Sequence, residues 1–463
     1  MAEVRAVRRM GTNVFDENKA IWQLLLIFLV PLMLSNVLQA ASQTFAGIYL
    51  GRLIGVNALA AVSAVFPVFF FLVSFLIGIA SGSTVLIGQA YGAGDEHRVK
   101  KIAGTVLGAT LGLSVIIAAI GAWLSPAILG LLGTPANILA ASDAYARVIF
   151  WTAPVVFPYF VYTTCLRGTG DSKTPFYFLI VSTMLSLLFT PAFILGWFGL
   201  PHLGVVSAAV SAFLGQGIAF AAMLIVLRRR GHPLRFDREM AGDMRVDWNI
   251  LWLVMRIGVP TGMQVVMVSL AEIAVISFVN RFGSDATAAY GAVNQVVSYV
   301  QFPAISIGIA SSIFGAQSIG ARREDRLAGV IRSGIALNYI VGGVLITICY
   351  IFARDLLGWF IVDRHTLDIA DRLLMITLWS YVIFGNSAVL SGIMRASGDV
   401  VWPTAIGIFS IVAVEVPVAY LLMQRIGLDG VWVGYPAAYV VGLALQLCYY
   451  EFVWKRRTHE RLV

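Results

Sequence analysis

Leu166-Arg167-Gly168-Thr169-Gly170-Asp171, with Pro175 behind it, returns 228 residues later as Met394-Arg395-Ala396-Ser397-Gly398-Asp399, with Pro403 behind it. The same spacing carries Asn57-Ala58-Leu59-Ala60-Ala61 onto Asp285-Ala286-Thr287-Ala288-Ala289, and Gln89 with Gly92 onto Gln317 with Gly320. At a spacing of 229, Pro31 meets Pro260. One such coincidence is cheap in an alanine-rich chain. Four in order, at nearly one offset, mean that the chain is a duplication.

The duplicated material is apolar. Of 463 residues, 59% are hydrophobic and 12% charged, and the mean hydropathy is +0.86. A soluble domain has about 45–50% apolar and about 25% charged residues, so a water-soluble globule is excluded, and disorder, a coiled coil and a disulfide scaffold with it. Cys165, Cys349 and Cys448 each sit in an apolar run, where cysteine behaves as a small hydrophobe, and no disulfide is expected. The fold class is an all-α polytopic membrane protein.

A membrane-crossing helix needs roughly 20 apolar residues. Twelve such stretches are expected near residues 21–50, 56–91, 102–124, 145–166, 175–197, 204–227, 250–280, 287–319, 330–353, 373–394, 403–423 and 431–454. The first is too long for a signal peptide and lacks a cleavage site, so it reads as a retained span. Residues 53–94 and 286–321 contain no charge, so these helices run past the bilayer or bend in it. Gly78, Gly82, Gly308 and Ser311-Ser312 are candidate bends or close-packing points.

Orientation follows the basic residues. The N-terminal segment, the alternate loops and the tail hold 24 of the 32 lysines and arginines. Both termini are therefore expected in the cytoplasm, in a multi-pass protein of the bacterial inner (plasma) membrane. The net charge of +8 is topology and not a nucleic-acid signal. The organisation expected is a cytoplasmic segment 1–20, an N-lobe 21–227 with six spans, a cytoplasmic linker 228–249, a C-lobe 250–454 with six spans and a cytoplasmic tail 455–463. Six spans per half place the two bundles in the same orientation, as a parallel repeat. A monomer suffices.

Duplicated lobes with kinked, Gly- and Pro-bearing helices fit a transporter that exposes its cargo to each side in turn. ATP is an unsuitable power source. The nearest string to a phosphate cradle, Gly168-Thr169-Gly170-Asp171-Ser172-Lys173-Thr174, lacks the glycine before the lysine and joins two spans. A turn is the better reading, with glycine at positive φ and Asp171 capping the next helix. Neither HExxH nor GxSxG is present, so an enzyme is not expected. No cofactor is expected either, only a coupling ion, a proton or sodium (Na+).

Such an ion needs an ionisable or carboxylate ligand. Of the 24 acidic residues, only Glu272 and Glu415 fall well within apolar runs. A carboxylate at bilayer depth is costly unless protonated, paired or metal-bound, which makes it a functional candidate. The structural alternative is a neutral acid bonded to a neighbouring helix. For Glu415, Pro417 frees a backbone carbonyl that the protonated acid could use. Asn36, Gln39 and Gln43 share one face of the first span and either line a cavity or bond across helices. Gln264, Asn294, Gln295 and Asn386 are further cavity candidates, with Gln301 and Asn338 beside them. The phenylalanines at 66, 69, 70, 71 and 75 read as lipid-facing or packing residues.

Twelve spans, the 6+6 repeat, Pro31, Gly51-Arg52-Leu53-Ile54-Gly55 followed by Ala60-Ala61, and the paired Arg-containing turns resemble the multidrug and toxic compound extrusion (MATE) family over essentially the whole chain. The resemblance implies an antiporter that exports bulky organic, mostly cationic compounds against inward proton or sodium flow, by alternating access of two lobes. It also shows departures. Where the DinF-like branch has an aspartate in the first helix stands Ala46, and its Asn and Asp-Pro in the fifth helix are Ser186 and Thr190-Pro191. The N-lobe carboxylate site is thus absent. The NorM-like branch has a glutamate where Val268 stands, one turn before Glu272, and an acid near Phe384. Coupling then rests on the C-lobe, through Glu272 with Glu415. Two readings stay open beside it: a flippase for lipid-linked or specialised-metabolite cargo, and an uncoupled, non-transporting homologue.

Overall fold

The computed structural model describes residues 19–463, without the side chains of Val56, Phe198 and Glu324. The expected N-terminal segment, with Arg5, Arg8 and Arg9, lies almost wholly outside the described residues. The hydrocarbon core offers no partner to a backbone N–H or C=O, so each apolar run closes its own hydrogen bonds as a helix. No strand occurs among the described residues. In chain order the helices are α1 (Ile21–Tyr49), α2 (Val56–Gly92), α3 (Glu96–Leu131), α4 (Ala136–Gly168), α5 (Lys173–Leu195), α6 (Ser207–Arg229), a short α7 (Arg238–Asp243) and α8 (Trp248–Val279). Then follow α9 (Ser284–Gly320), α10 (Glu324–Leu337), α11 (Gly343–Ile351), α12 (Ala353–Gly358), α13 (Arg364–Thr377), α14 (Ser380–Ala396), α15 (Val401–Phe409), α16 (Val416–Ile426) and α17 (Leu428–Phe452).

Eleven helices among the described residues are long and apolar enough to cross a membrane. The tenth expected span is broken: α13 and α14 together make a twelfth, bent by 43°. Several helices outrun the apolar windows read from the sequence. The third and fourth begin at Glu96 and Ala136 instead of near 102 and 145, because a helix continues through its polar ends once the apolar part is set. The two charge-free segments form unbroken helices of 37 residues, α2 and α9, and at about 1.5 Å per residue each exceeds the hydrocarbon thickness. Gly78, Gly82 and Gly308 are close-packing points within them. A Cβ on Gly82 would lie 2.3 Å from the Val254 carbonyl oxygen, and one on Gly258 would lie 2.6 Å from that of Gly78.

The duplication is visible in the backbone. Both α2 and α9 follow a glycine at positive φ, Gly55 at 121° and Gly283 at 96°, and both end at the glycine 228 residues apart. The paired turns share their geometry: Gly170 and Gly398 have φ of 86° and 85°, and Thr169 and Ser397 each return a hydroxyl to a carbonyl three residues back at 2.8 Å.

The described residues form two compact units, Leu34–Gly258 and Val259–Val463, with residues 19–33 grouped with the second. Each unit thus takes the first part of the helix that opens the other. Phe28 of α1 stacks edge-on against Phe314 of α9 at 5.5 Å, and Val254 of α8 packs on Gly82 of α2.

The expected linker 228–249 is folded on the first unit. Asp237 caps α7 by accepting from the Met240 N–H at 3.0 Å, and Lys100 of α3 binds Asp237 at 2.8 Å and Glu239 at 2.5 Å. Lys101 pairs with Asp247 at 2.8 Å. Leu234 and Met240 are fully buried, and the Tyr162 hydroxyl donates to the Leu234 carbonyl. Burial pushes the Asp237 carboxyl up, but hydrogen bonds from Lys100, Met240 N–H and Arg235 outweigh it and hold the group at about 2. Burial likewise pushes His232 down from 6.5 to about 4, against the opposing pull of Asp171. The Leu234 N–H donates to His232 Nδ1 at 3.1 Å, so the neutral ring carries its proton on Nε2.

Two outcomes follow from this packing. Gly82→Ala forces backbone apart and should lower stability by about 1–3 kcal/mol, whereas Gly112→Ala, with nothing within 4 Å of the added carbon, should leave the detergent melting temperature unchanged. The native state disfavours the charged form of His232. The unfolded chain therefore takes up a proton that the folded loop does not, and loop stability falls as the pH drops from 6.5 toward about 4. The hydrogen-exchange protection factors of residues 230–245, which correct for the pH dependence of the intrinsic rate, should fall over that interval in the wild type and stay flatter in His232→Asn.

Candidate functional site

Among the described residues, the buried polar side chains of the second unit are hydroxyls and amides apart from Glu415. Pro417 lacks an N–H and its ring crowds the carbonyl four residues back, and the helix widens into a π-helical turn over Ser410–Glu415 before resuming as α16. The turn sets Glu415 inward, 5% exposed. Its backbone oxygen lies 2.8 Å from where a Cβ on Gly434 would stand, so α17 approaches closely here and brings its tyrosines alongside.

Those tyrosines build the site. Tyr435 and Tyr439 stand one turn apart on α17. The Tyr435 hydroxyl is 3.1 Å from that of Tyr290 on α9, and Tyr290 lies parallel to the buried Trp432 ring at 5.5 Å and 6°. Tyr439 packs on Tyr381 and Phe384 of α14, at 5.4 Å and 5.2 Å. Glu415 and Glu272 are near enough to feel one another's charge, and both reach Tyr290, Tyr381 and Tyr439 electrostatically. Among the described residues no lysine or arginine pairs with either glutamate, and none hydrogen-bonds the Glu415 carboxyl. Glu272 sits on an exposed face of α8. Two carboxyls and an aromatic wall can hold a cation by charge and by ring faces, and a carboxyl without a counter-charge can exchange a proton.

The remaining candidates are scattered. Asn294 lies beside the Tyr290 hydroxyl, one turn along α9, and with Gln295 is exposed. The Gln264 amide fills the space over Gly407, 2.6 Å from a Cβ placed there. Asn386 is buried and its Oδ1 accepts from Asn338 Nδ2 at 2.9 Å, while the same amide donates to the Val382 carbonyl at 2.9 Å. That pair sits at the π-helical turn Asn338–Gly342, with Gly385 leaving room for it, so Asn386 locks two helices together. Asn36, Gln39 and Gln43 belong to the first unit, Asn36 partly buried and the other two exposed. Ala46 is there too, and the Thr190 hydroxyl is bonded to the Ser186 carbonyl at 2.7 Å.

The tyrosines and Trp432 were not singled out from the sequence. The one signal is that Tyr435 and Tyr439 fall four apart, either side of Pro436, a pattern that lipid-facing aromatics share.

This arrangement has relatives. The MatE family model matches residues 31–192 and again 260–421, one copy per half. Probable multidrug resistance protein YoeA of Bacillus subtilis (strain 168) is 54% identical over 446 residues, covering 96% of each chain. Multidrug export protein MepA of Staphylococcus haemolyticus (strain JCSC1435) is 24% identical over 421 residues, covering 90% of each. Among solved structures, the Vibrio cholerae MATE transporter VcmN in the bent form superposes with a TM-score of 0.84 at 20% identity, over 93% of this chain and 96% of that one. Two family matches on a duplicated bundle of membrane helices, and more than half the residues shared with a multidrug resistance protein, make this chain a membrane transporter of the MATE family.

Proposed function

We propose that this chain is a secondary active exporter, an antiporter of organic cations driven by inward flow of protons or sodium, and that Glu272 and Glu415 of the second lobe couple the two fluxes. The observation that carries the reading is Glu415: a buried carboxyl without counter-charge, set by a π-turn into a cluster of tyrosines. Export of organic compounds agrees with the name of its relative MepA, a multidrug export protein. Carboxylates and aromatic faces together favour cations over neutral or anionic solutes. A proton suits the aromatic surroundings of Glu415, because sodium needs several oxygen ligands.

In this scheme Glu272, on the exposed face of α8, takes up the ion from outside and Glu415 senses its charge. Binding can shift the two-lobe equilibrium only if the ion is held unequally in the two states, so at least one carboxyl changes its solvation between them. The basic loops put both termini in the cytoplasm, and the chain works as a monomer in the bacterial plasma membrane. Ser186 and Thr190 put hydroxyls, not carboxyls, at those two positions of the first lobe, which supports coupling through the second.

The test is transport of a fluorescent organic cation into proteoliposomes under proton or sodium gradients imposed separately. The wild type should move dye under one gradient, and Glu272→Gln and Glu415→Gln should fall to the level of protein-free vesicles while retaining their fold. Equal transport by all three would move coupling away from these carboxyls. No transport of any cation by the wild type would turn the reading to a flippase or an uncoupled homologue.

A further inference from the structure

The duplicated turns place an arginine in the last turn of α4 and its counterpart in the last turn of α14, Arg167 and Arg395. Both side chains are half-buried. Neither pairs with a carboxylate among the described residues, although each stands four residues before an aspartate. Those aspartates are engaged elsewhere. Asp171 Oδ1 accepts from the Lys173 and Thr174 N–H groups at 3.1 and 3.0 Å, and Oδ2 lies 3.9 Å from His232 Nε2. Asp399 Oδ2 accepts from the Tyr449 hydroxyl at 2.6 Å and lies 4.0 Å from Arg457 Nη1. Arg395 donates to Ser391 Oγ at 3.4 Å through Nη2, and its Nε is buried with no acceptor among the described residues. Beside Arg167 lies the Tyr159 hydroxyl, also buried, close to Ser182 but without a well-aligned hydrogen bond.

The Arg395 Nε is thus a buried donor without an acceptor among the described residues, and Arg167, its counterpart in the repeat, has no carboxylate partner among them. A guanidinium stays protonated, and one drawn partly out of water without a counter-charge is costly. The carbonyl end of its helix offsets only a fraction of a charge. What would complete each site is an acceptor-rich anion, and a planar fork of N–H donors matches two oxygens of a phosphate. Both arginines lie in the last turn of a span, beside the loops that hold most of the basic residues, where an anionic headgroup would be in reach.

We propose that Arg167 and Arg395 each bind a phosphate group, one within each lobe, supplied by the headgroup of an anionic phospholipid. The site is separate from Glu272 and Glu415 and holds whether or not those residues couple an ion.

Thermal unfolding of the full chain in lauryl maltoside tests this, with added phosphatidylglycerol, phosphatidylcholine, or inorganic phosphate against chloride at matched ionic strength. Phosphatidylglycerol should raise the wild-type melting temperature by several degrees more than phosphatidylcholine, whose choline cancels the phosphate charge. The shift should halve in Arg167→Gln or Arg395→Gln and vanish in the double variant. Inorganic phosphate reproducing the full shift would keep both sites and make their ligand the free anion. If the double variant does not fold, Arg167→Lys with Arg395→Lys keeps the charge without the fork, and its apparent affinity should weaken by about tenfold. No wild-type shift with either anion, or a shift unchanged in the variants, overturns the proposal.

Discussion

A bilayer core supplies no hydrogen-bond partner and no counter-charge, and everything in this protein answers to that constraint. Backbone groups satisfy it by forming helices. Hydroxyls satisfy it by bonding back one turn, as Thr190 does to Ser186, Ser306 to Phe302 and Ser318 to Phe314. Amides satisfy it in pairs, as Asn338 and Asn386 do. Against that background Glu415 stands out, because its polarity is not spent on the fold. A buried acid without a partner costs stability, and a transporter that must load and unload an ion is where such a cost is expected to persist.

The duplication conserves geometry more strictly than chemistry. The two turns keep their glycine at positive φ and their hydroxyl returned to the helix, yet the aspartates have parted: Asp171 caps its helix, whereas Asp399 receives a tyrosine. The same divergence separates the lobes as wholes. At the 228-residue offset the first holds Thr44 and Leu187 where the second holds Glu272 and Glu415. Backbone turns are fixed by steric rules that both copies obey, while an inward-facing side chain is free to change once its lobe has a separate task.

The fold was largely legible in the sequence because span length, charge placement and an offset repeat are one-dimensional signals. Apolar run length located each of the helices that carry spans, and missed only their polar extensions and the 43° break between α13 and α14. The candidate site was half legible. A charge in an apolar run is conspicuous, so Glu272 and Glu415 could be singled out. A tyrosine in an apolar run is not, since Tyr290, Tyr381, Tyr435 and Tyr439 differ from lipid-facing aromatics only in which way their helix face turns. Nor could the sequence pair Asn338 with Asn386 across 48 residues, or show that residues 228–249 fold onto the first unit.

The central claim is that charge movement through the second lobe drives transport. Liposomes containing the protein and a trapped pH-sensitive dye, given an outward gradient of an organic cation and no other, measure it most directly. The account predicts that cation efflux draws protons inward and acidifies the lumen, a pH change lost in Glu415→Gln. Cation movement with no pH change in the wild type, or an equal pH change in Glu415→Gln, would contradict it.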